Sequence, residues 1–441
     1  MIMKSAVVGA LALSLAGCNS LLDTNPVDKI PSDKAIVDAA GARAALAGAY
    51  NSLQSGSYYG GDFLIFGDLS SDNAVHTGTF NSYADAAANS LTADNSSVRD
   101  IWNAIYSAIA RDNVLLEKVP AVPDLTQTEK DEILGEAHFL RALHYHNLVK
   151  LYGGVPLRTV TAKTVAEASN ISRSTEAETY ALILNDLAQA ETMITNTAVA
   201  TQGTLGAVKA LEARVYLYQK DWTNANAKAD EVIGLGYTLA PVFSDLFDAE
   251  GIDTPEDVFK VTFTAQQFQF MYYWISTPSG GGGEVGPSQS LIDAFDPTDV
   301  RLAWSISGTT EGTADGTKYP TTAGAEDIHA IRFAEVLLIK AEAQAMLNDL
   351  SGAVTTYNLI RARAGLPDHV LGTDVTTQAD VLAAIDHERR LELAFEGDRW
   401  PDLVRTGQAV GILGIPATQT LYPIPQSEMD VVPGLVQNPG Y

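Results

Sequence analysis

AEVLLIKAEAQAMLNDLSGAVTTYNLIRARA, residues 334–364, repeats the pattern of GAVKALEARVYLYQKDWTNANAKADEVIG, residues 206–234. Ala341 falls on Ala213, Asp349 on Asp221, Leu350 on Trp222 and Ala353 on Ala225. In each copy two alanines straddle a turn, NDLSG in one and KDWTN in the other. Small side chains at those places let two antiparallel helices approach closely. Ordinary helical hairpins share some of these features, so two copies alone leave both readings open.

Working outward, helix-turn-helix units of this kind are the logic of tetratricopeptide repeats. Further helices are predicted over 34–53, capped by Ser32 and Asp33, and over 98–119, 127–152, 175–195 and 378–396. The helix at 127–152 ends at Gly153-Gly154-Val155-Pro156, a sound stop. Two regions break the pattern. Residues 56–97 are rich in Gly, Ser, Asn and Asp, and read as a long irregular segment of the kind that forms binding loops. Residues 236–330 hold one alternating run at 256–263, a short strand, and the aromatic run 268–274 followed by Gly280 to Gly283. The expected fold is mainly α: tetratricopeptide-like helix pairs forming an α-α superhelix, with long loop-rich insertions and a few short strands. The expected divisions are 1–17, 18–33, 34–235, 236–330 and 331–441.

The first of these divisions is a leader. Lys4 precedes an apolar run that ends at Leu15-Ala16-Gly17-Cys18. That is a charged start, a greasy middle of about ten residues and small residues before a cut, a secretory signal too short to span a bilayer. Cys18 is the sole cysteine, which leaves no internal disulfide and no thiol pair. Residues 18–33 read as a tether. The net charge of −26 repels phosphate backbones and excludes nucleic acid as a partner.

Enzyme signatures are poor. Gly281, Gly283 and Gly286 match the letters of a dinucleotide fingerprint, but Pro287 follows and no helix opens there. His144 and His146, two apart on a helix, face different sides and cannot share a metal, and His138 adds no ligand spacing. A carboxylate pair for glycoside hydrolysis is left open, though none stands out. In the segment 388–400, Arg389, Glu392 and Glu396 are at helical spacing and read as a charge network at a helix end. Aromatic rings in polar loops suit the C–H face of a sugar, with amide and carboxylate groups for its hydroxyls. The candidates are Tyr58, Tyr59, Asn73, Phe80, Tyr83, Tyr272, Tyr273, Trp274 and Trp304. No catalytic residue is assigned and no metal ligand is identified.

Several segments together resemble the SusD/RagB family. They include Trp102-Asn103-Ala104-Ile105-Tyr106, Glu136-Ala137-His138-Phe139-Leu140-Arg141-Ala142 and Leu148 to Leu157 in the N-terminal part. The C-terminal part adds Ile331 to Ala343, Asn358 to Leu366, Glu388 to Arg405, Tyr422-Pro423-Ile424-Pro425 and Gln437-Asn438-Pro439-Gly440-Tyr441. The leader resembles a lipobox, which implies a lipid on Cys18. The resemblance implies four tetratricopeptide-like helix pairs and a lipoprotein on the outer membrane, facing the exterior. It implies capture of oligosaccharides without covalent chemistry, and a SusC-type TonB-dependent barrel on which the protein acts as a hinged lid. Calcium is known in the family, but no acidic loop here supports it. A surface glycoside hydrolase and a peptide- or glycoprotein-binding member of the same family are the competing readings.

Overall fold

A computed structural model describes residues 36–247 and 251–441. Cys18, the leader, the tether and the expected cap at Ser32 and Asp33 lie outside the described residues. The first described helix, α1 (Ala39–Ser52), starts after Asp38, whose carboxylate accepts from Gly41 N at 2.7 Å. Next come α2 (Asp62–Leu69), strand β1 (Ala74–His76) and α3 (Asn81–Ala87). The region read as irregular therefore contains two short helices. Its apolar run FLIF is buried on all sides, so it carries no amphipathic period to detect.

The long helices follow the sequence reading closely. They are α4 (Ser96–Lys118), α5 (Gln127–Tyr152) and α6 (Glu176–Met193). Capping boxes fix the starts of the last two, Thr126 with Glu129 and Thr175 with Glu178. The repeat copies are α7 (Leu205–Tyr218) with α8 (Trp222–Gly234), and α9 (Phe333–Met346) with α10 (Leu350–Arg363). Ala213, Ala225, Ala341 and Ala353 are all fully buried between their helices. Asp221 and Asp349 each cap the second helix, accepting from Asn224 N at 3.1 Å and Gly352 N at 2.9 Å. The residue before each cap takes a left-handed conformation, Lys220 at φ 59° and Asn348 at φ 67°. So the two copies share a turn as well as a pattern. Helix α4 packs on α5, α5 on α6, α7 on α8 and α9 on α10, and α8 lies against α9.

Helix α11 (Gln378–Glu392) stops four residues earlier than the periodicity implies. Phe395 at φ 66° and Gly397 at φ 79° turn the chain into α12 (Arg399–Arg405). The alternating run appears as β2 (Asp257–Val261). The remaining strands are β3 (Val285–Pro287), β4 (Ile306–Ser307), β5 (Asp315–Gly316) and β6 (Ile328–Arg332). They form three two-stranded antiparallel ladders, β1–β3, β2–β6 and β4–β5.

The charged segment near residue 390 is not the local helical network that its spacing suggests. Arg389, Glu392 and Glu396 are buried and pair with other elements rather than with one another. Arg332 binds Glu256 and Glu396 at 2.8 Å, and Glu392. Arg301 binds Asp299, Glu388 and Glu392 at 2.7, 2.9 and 3.1 Å. Arg389 pairs with Asp402. Burial works to raise Glu396, yet Arg332 and Lys318 hold it down at about 2. Buried ions persist only with such partners. The network stitches the C-terminal helices to β6 and to the second insertion.

Candidate functional site

The two irregular regions meet. Strand β1 from the first pairs with β3 from the second: Ala74 with Pro287, Val75 with Gly286, His76 with Val285. Thr77 N extends the ladder to Glu284 O at 3.0 Å. The Glu284 carboxylate then accepts from Thr79 N at 2.8 Å and Phe80 N at 3.0 Å. A side chain of the second insertion thus sets the backbone that carries Phe80 in the first. The root of the first insertion is tied to the helical frame. Arg399 Nε donates to Asp72 at 2.7 Å, and Arg390 Nε donates to Asn73 Oδ1 at 2.9 Å.

Glycines let the aromatics of the second insertion settle there. A Cβ on Gly56 would overlap the Phe270 ring, and Phe270 N donates to Gly60 O at 2.6 Å. The run Gly280–Gly283 folds back on residues 272–275, with Gly282 N on Tyr272 O at 3.0 Å and Gly283 N on Ile275 O at 2.9 Å. A side chain at Gly282 would strike the Tyr273 ring. Gly286 lies in β3. Of the dinucleotide letters, Gly281 packs on Ile275, Gly283 turns at φ 67° beside Thr277 and Gly286 pairs in the ladder, so they serve the fold of this loop, and no helix of the described residues begins at them.

The product is an aromatic cluster around an open cavity of about 270 Å³. Phe270 and Tyr273 stack at 5.5 Å and 11°. Phe80 meets Tyr273 and Tyr83 edge-on at 5.6 and 5.4 Å. Tyr272 closes on Tyr273 at 4.8 Å. Asp62 and the hydroxyls of Ser57 and Ser82 complete the wall. Tyr83 donates to Asp62 Oδ1 at 2.7 Å. Burial raises Asp62 to about 6, with the hydrogen bonds from Tyr83, Ser97 and Ser57 pulling the other way. Phe80 is 40% exposed, and Phe270, Tyr272 and Tyr273 are half-buried, so rings remain open to a ligand.

Of the candidates read from the sequence, Phe80, Tyr83, Tyr272 and Tyr273 come together here; Tyr83 is itself buried and supports Phe80 and Tyr273 from beneath. Tyr58 and Tyr59 do not: both are core residues, and Asn147 Nδ2 donates to their hydroxyls at 2.7 and 3.0 Å. Trp274 is buried against Phe395 at 4.4 Å, which takes it out of reach of a ligand. Asn73 is buried and spends its amide on Asp68, at 2.8 Å, and Arg390. Trp304 is 49% exposed but lies apart, in a depression of about 180 Å³ with Phe247 and Thr317. Sequence reasoning missed Asp62 and Phe270. Phe270 lies in the quoted aromatic run, at period two with Phe268 and Tyr272; Asp62 carries no local signal. Among the described residues no three His, Cys, Asp or Glu side chains are placed to hold a metal ion. Nor is any described helix long and apolar enough to cross a membrane.

The chain as a whole is similar to known proteins. A family described as starch-binding, associating with outer membrane, matches residues 22–217, and the SusD family matches residues 301–414. SusD-like protein P38 of Formosa agariphila is 27% identical over 464 residues, covering 91% of this chain and 90% of its own. A crystal structure of a SusD superfamily protein from Bacteroides vulgatus superposes with TM-score 0.84 over 92% of this chain and 99% of its own; at 22% identity that is a likeness of fold. A laminarin binding SusD-like protein superposes with TM-score 0.81 at 25% identity, over 92% of this chain and all of its own.

Proposed function

Since the chain belongs to the SusD/RagB family, we propose that it captures oligosaccharides at the outer surface of an outer membrane and passes them on unaltered. In this reading the lipid on Cys18 is the anchor. The acceptor is a SusC-type TonB-dependent barrel, over which the protein closes as a hinged lid. The observation that carries the proposal is the meeting of two distant insertions around one cavity walled by Phe80, Tyr83, Phe270 and Tyr273 with Asp62. A pyranose presents C–H groups on its faces and hydroxyls at its rim. Exposed rings take the first, and the carboxylate and serine hydroxyls take the second. The laminarin binding relative supports a glycan as the ligand.

Titration calorimetry of the mature chain against a glycan panel that includes laminarin tests the reading. A bound glycan whose affinity drops about tenfold in Tyr273→Ala is expected, in line with the cost of removing an aromatic anchor. Reducing-end analysis of the same mixtures is expected to show no cleavage. Turnover abolished by replacing one acid would instead make the protein a hydrolase. Failure of a Cys18→Ser variant to leave the membrane fraction would remove the anchor from the proposal.

A further inference from the structure

The two insertions that build the cavity contain no lysine or arginine over long stretches. Residues 44–98 hold Asp62, Asp68, Asp72, Asp85 and Asp94 but no such cation. Residues 261–300 hold Glu284, Asp293, Asp296 and Asp299 and again none. The cations that flank these runs each have a carboxylate partner, and none lines the cavity. Arg99 pairs with Asp100 at 2.9 Å, Lys260 with Asp253 and Asp327 at 2.9 and 3.0 Å, and Arg43 with Glu129 at 2.6 Å. Arg301 is fully buried among Asp299, Glu388 and Glu392. The residues with polar side chains that line the cavity are serines, Tyr83, Tyr273 and Asp62.

We infer that this cavity takes uncharged sugars and excludes glycans bearing carboxylate or sulfate groups. The inference rests on the glycan-binding reading above and narrows its ligand class. A sugar hydroxyl donates to Asp62 and accepts from serine, so a neutral ring satisfies every group present. A uronate or sulfate is an acceptor that a cation holds best, and no lysine or arginine lines the wall. It meets Asp62 as a like charge instead. At 6 Å and an intermediate dielectric of about 40, one such repulsion is worth roughly tenfold in affinity. Specificity thus comes from what the site repels as much as from what it holds.

The test is calorimetry on the unmodified mature chain. The ligands are neutral β-glucan, α-glucan, xylan and mannan oligosaccharides, each beside its sulfated or carboxylated derivative. The expected result is binding of a neutral oligosaccharide with its charged partner at least tenfold weaker. Affinity for the charged partner is expected to rise with added NaCl, because salt screens a repulsion. In Asp62→Asn the gap between partners is expected to narrow. A charged derivative that binds as well as its neutral partner, or whose affinity falls with salt, overturns the inference while leaving glycan capture intact. Absence of binding by every member, charged or neutral, overturns glycan capture itself and this inference with it.

Discussion

Replacing Gly56 with alanine tests whether close packing beneath Phe270 positions the ligand surface. The residue has no positive φ, so alanine suits its backbone and the effect is steric. The added Cβ would stand 2.8 Å from Phe270 Cδ2 and nearer still to Cε2. To regain a carbon–carbon separation of ~3.5 Å, the ring must recede by about 0.7 Å at Cδ2 and by more at Cε2. It is not free to do so. Its backbone is held by Gly60 O, and its far face is stacked on Tyr273. Overpacking of this kind costs about 1–3 kcal/mol, divided between folding and the geometry of the cluster. Gly56→Ala is expected to weaken glycan binding about tenfold, or ~1.4 kcal/mol, and to lower stability by about 1 kcal/mol. Calorimetry and urea unfolding read the two quantities. Gly234→Ala is the control: nothing lies within 4 Å of its added Cβ, and it is expected to stabilise α8 by about 0.5 kcal/mol without touching affinity. A folded Gly56→Ala protein that binds like wild type would refute the reasoning.

Other expectations follow from the frame. Arg332→Met leaves Glu256, Glu392 and Glu396 buried without their shared cation, and is expected to cost about 3–5 kcal/mol in urea unfolding. The exposed pair Arg43–Glu129 is expected to be worth under ~1 kcal/mol in the same assay; equal losses would contradict the account of the network. Lys220 holds a left-handed conformation that Asn348 holds in the other repeat copy, and asparagine tolerates it better. Lys220→Asn is accordingly expected to raise stability by about 0.5 kcal/mol, and a lower unfolding midpoint would count against a strained turn. Glu396, Asp402 and Asp257 lie at about 2 in the folded protein, against ordinary values of 4.5 and 3.8. Because these folded values are depressed, the stability they contribute is complete above about pH 4.5 and is lost as pH falls toward 2. Urea midpoints measured from pH 6 to 2 are expected to drop across that window; a flat profile would show that the pairs contribute nothing.

The helical frame was legible because its elements are amphipathic or capped, and because one repeat is written twice. Helix α5 is buried all round from Phe139 onward and is legible from its length and its end signals, the Thr126 cap and the Gly153 stop. The short helix α2 was not legible, since a segment buried all round has no period. Neither was the partner of β2: β6 lies some seventy residues downstream, and pairing at that distance leaves no local trace. The site was half legible. Aromatics in glycine-rich loops pointed to the two regions that meet around the cavity. In irregular segments, however, no periodicity tells an inward ring from an outward one. Tyr58 and Tyr59 point inward because Asn147, on a helix far along the chain, is there to receive them. The charged block around Glu392 misled for the same reason. Its spacing allowed partners within one helix, while the stronger donors Arg301 and Arg332 came from elsewhere.

The first insertion is rooted by Arg390 and Arg399 on the chain at Asp72 and Asn73, while the β1–β3 ladder, the Glu284 carboxylate and the Phe80–Tyr273 ring contact join it to the second. Such a design separates scaffold from specificity. The two interlocked tips form one unit, so trading both together between related chains is expected to alter which glycan is bound while the anchoring guanidinium contacts and the stacked helices stay as they are.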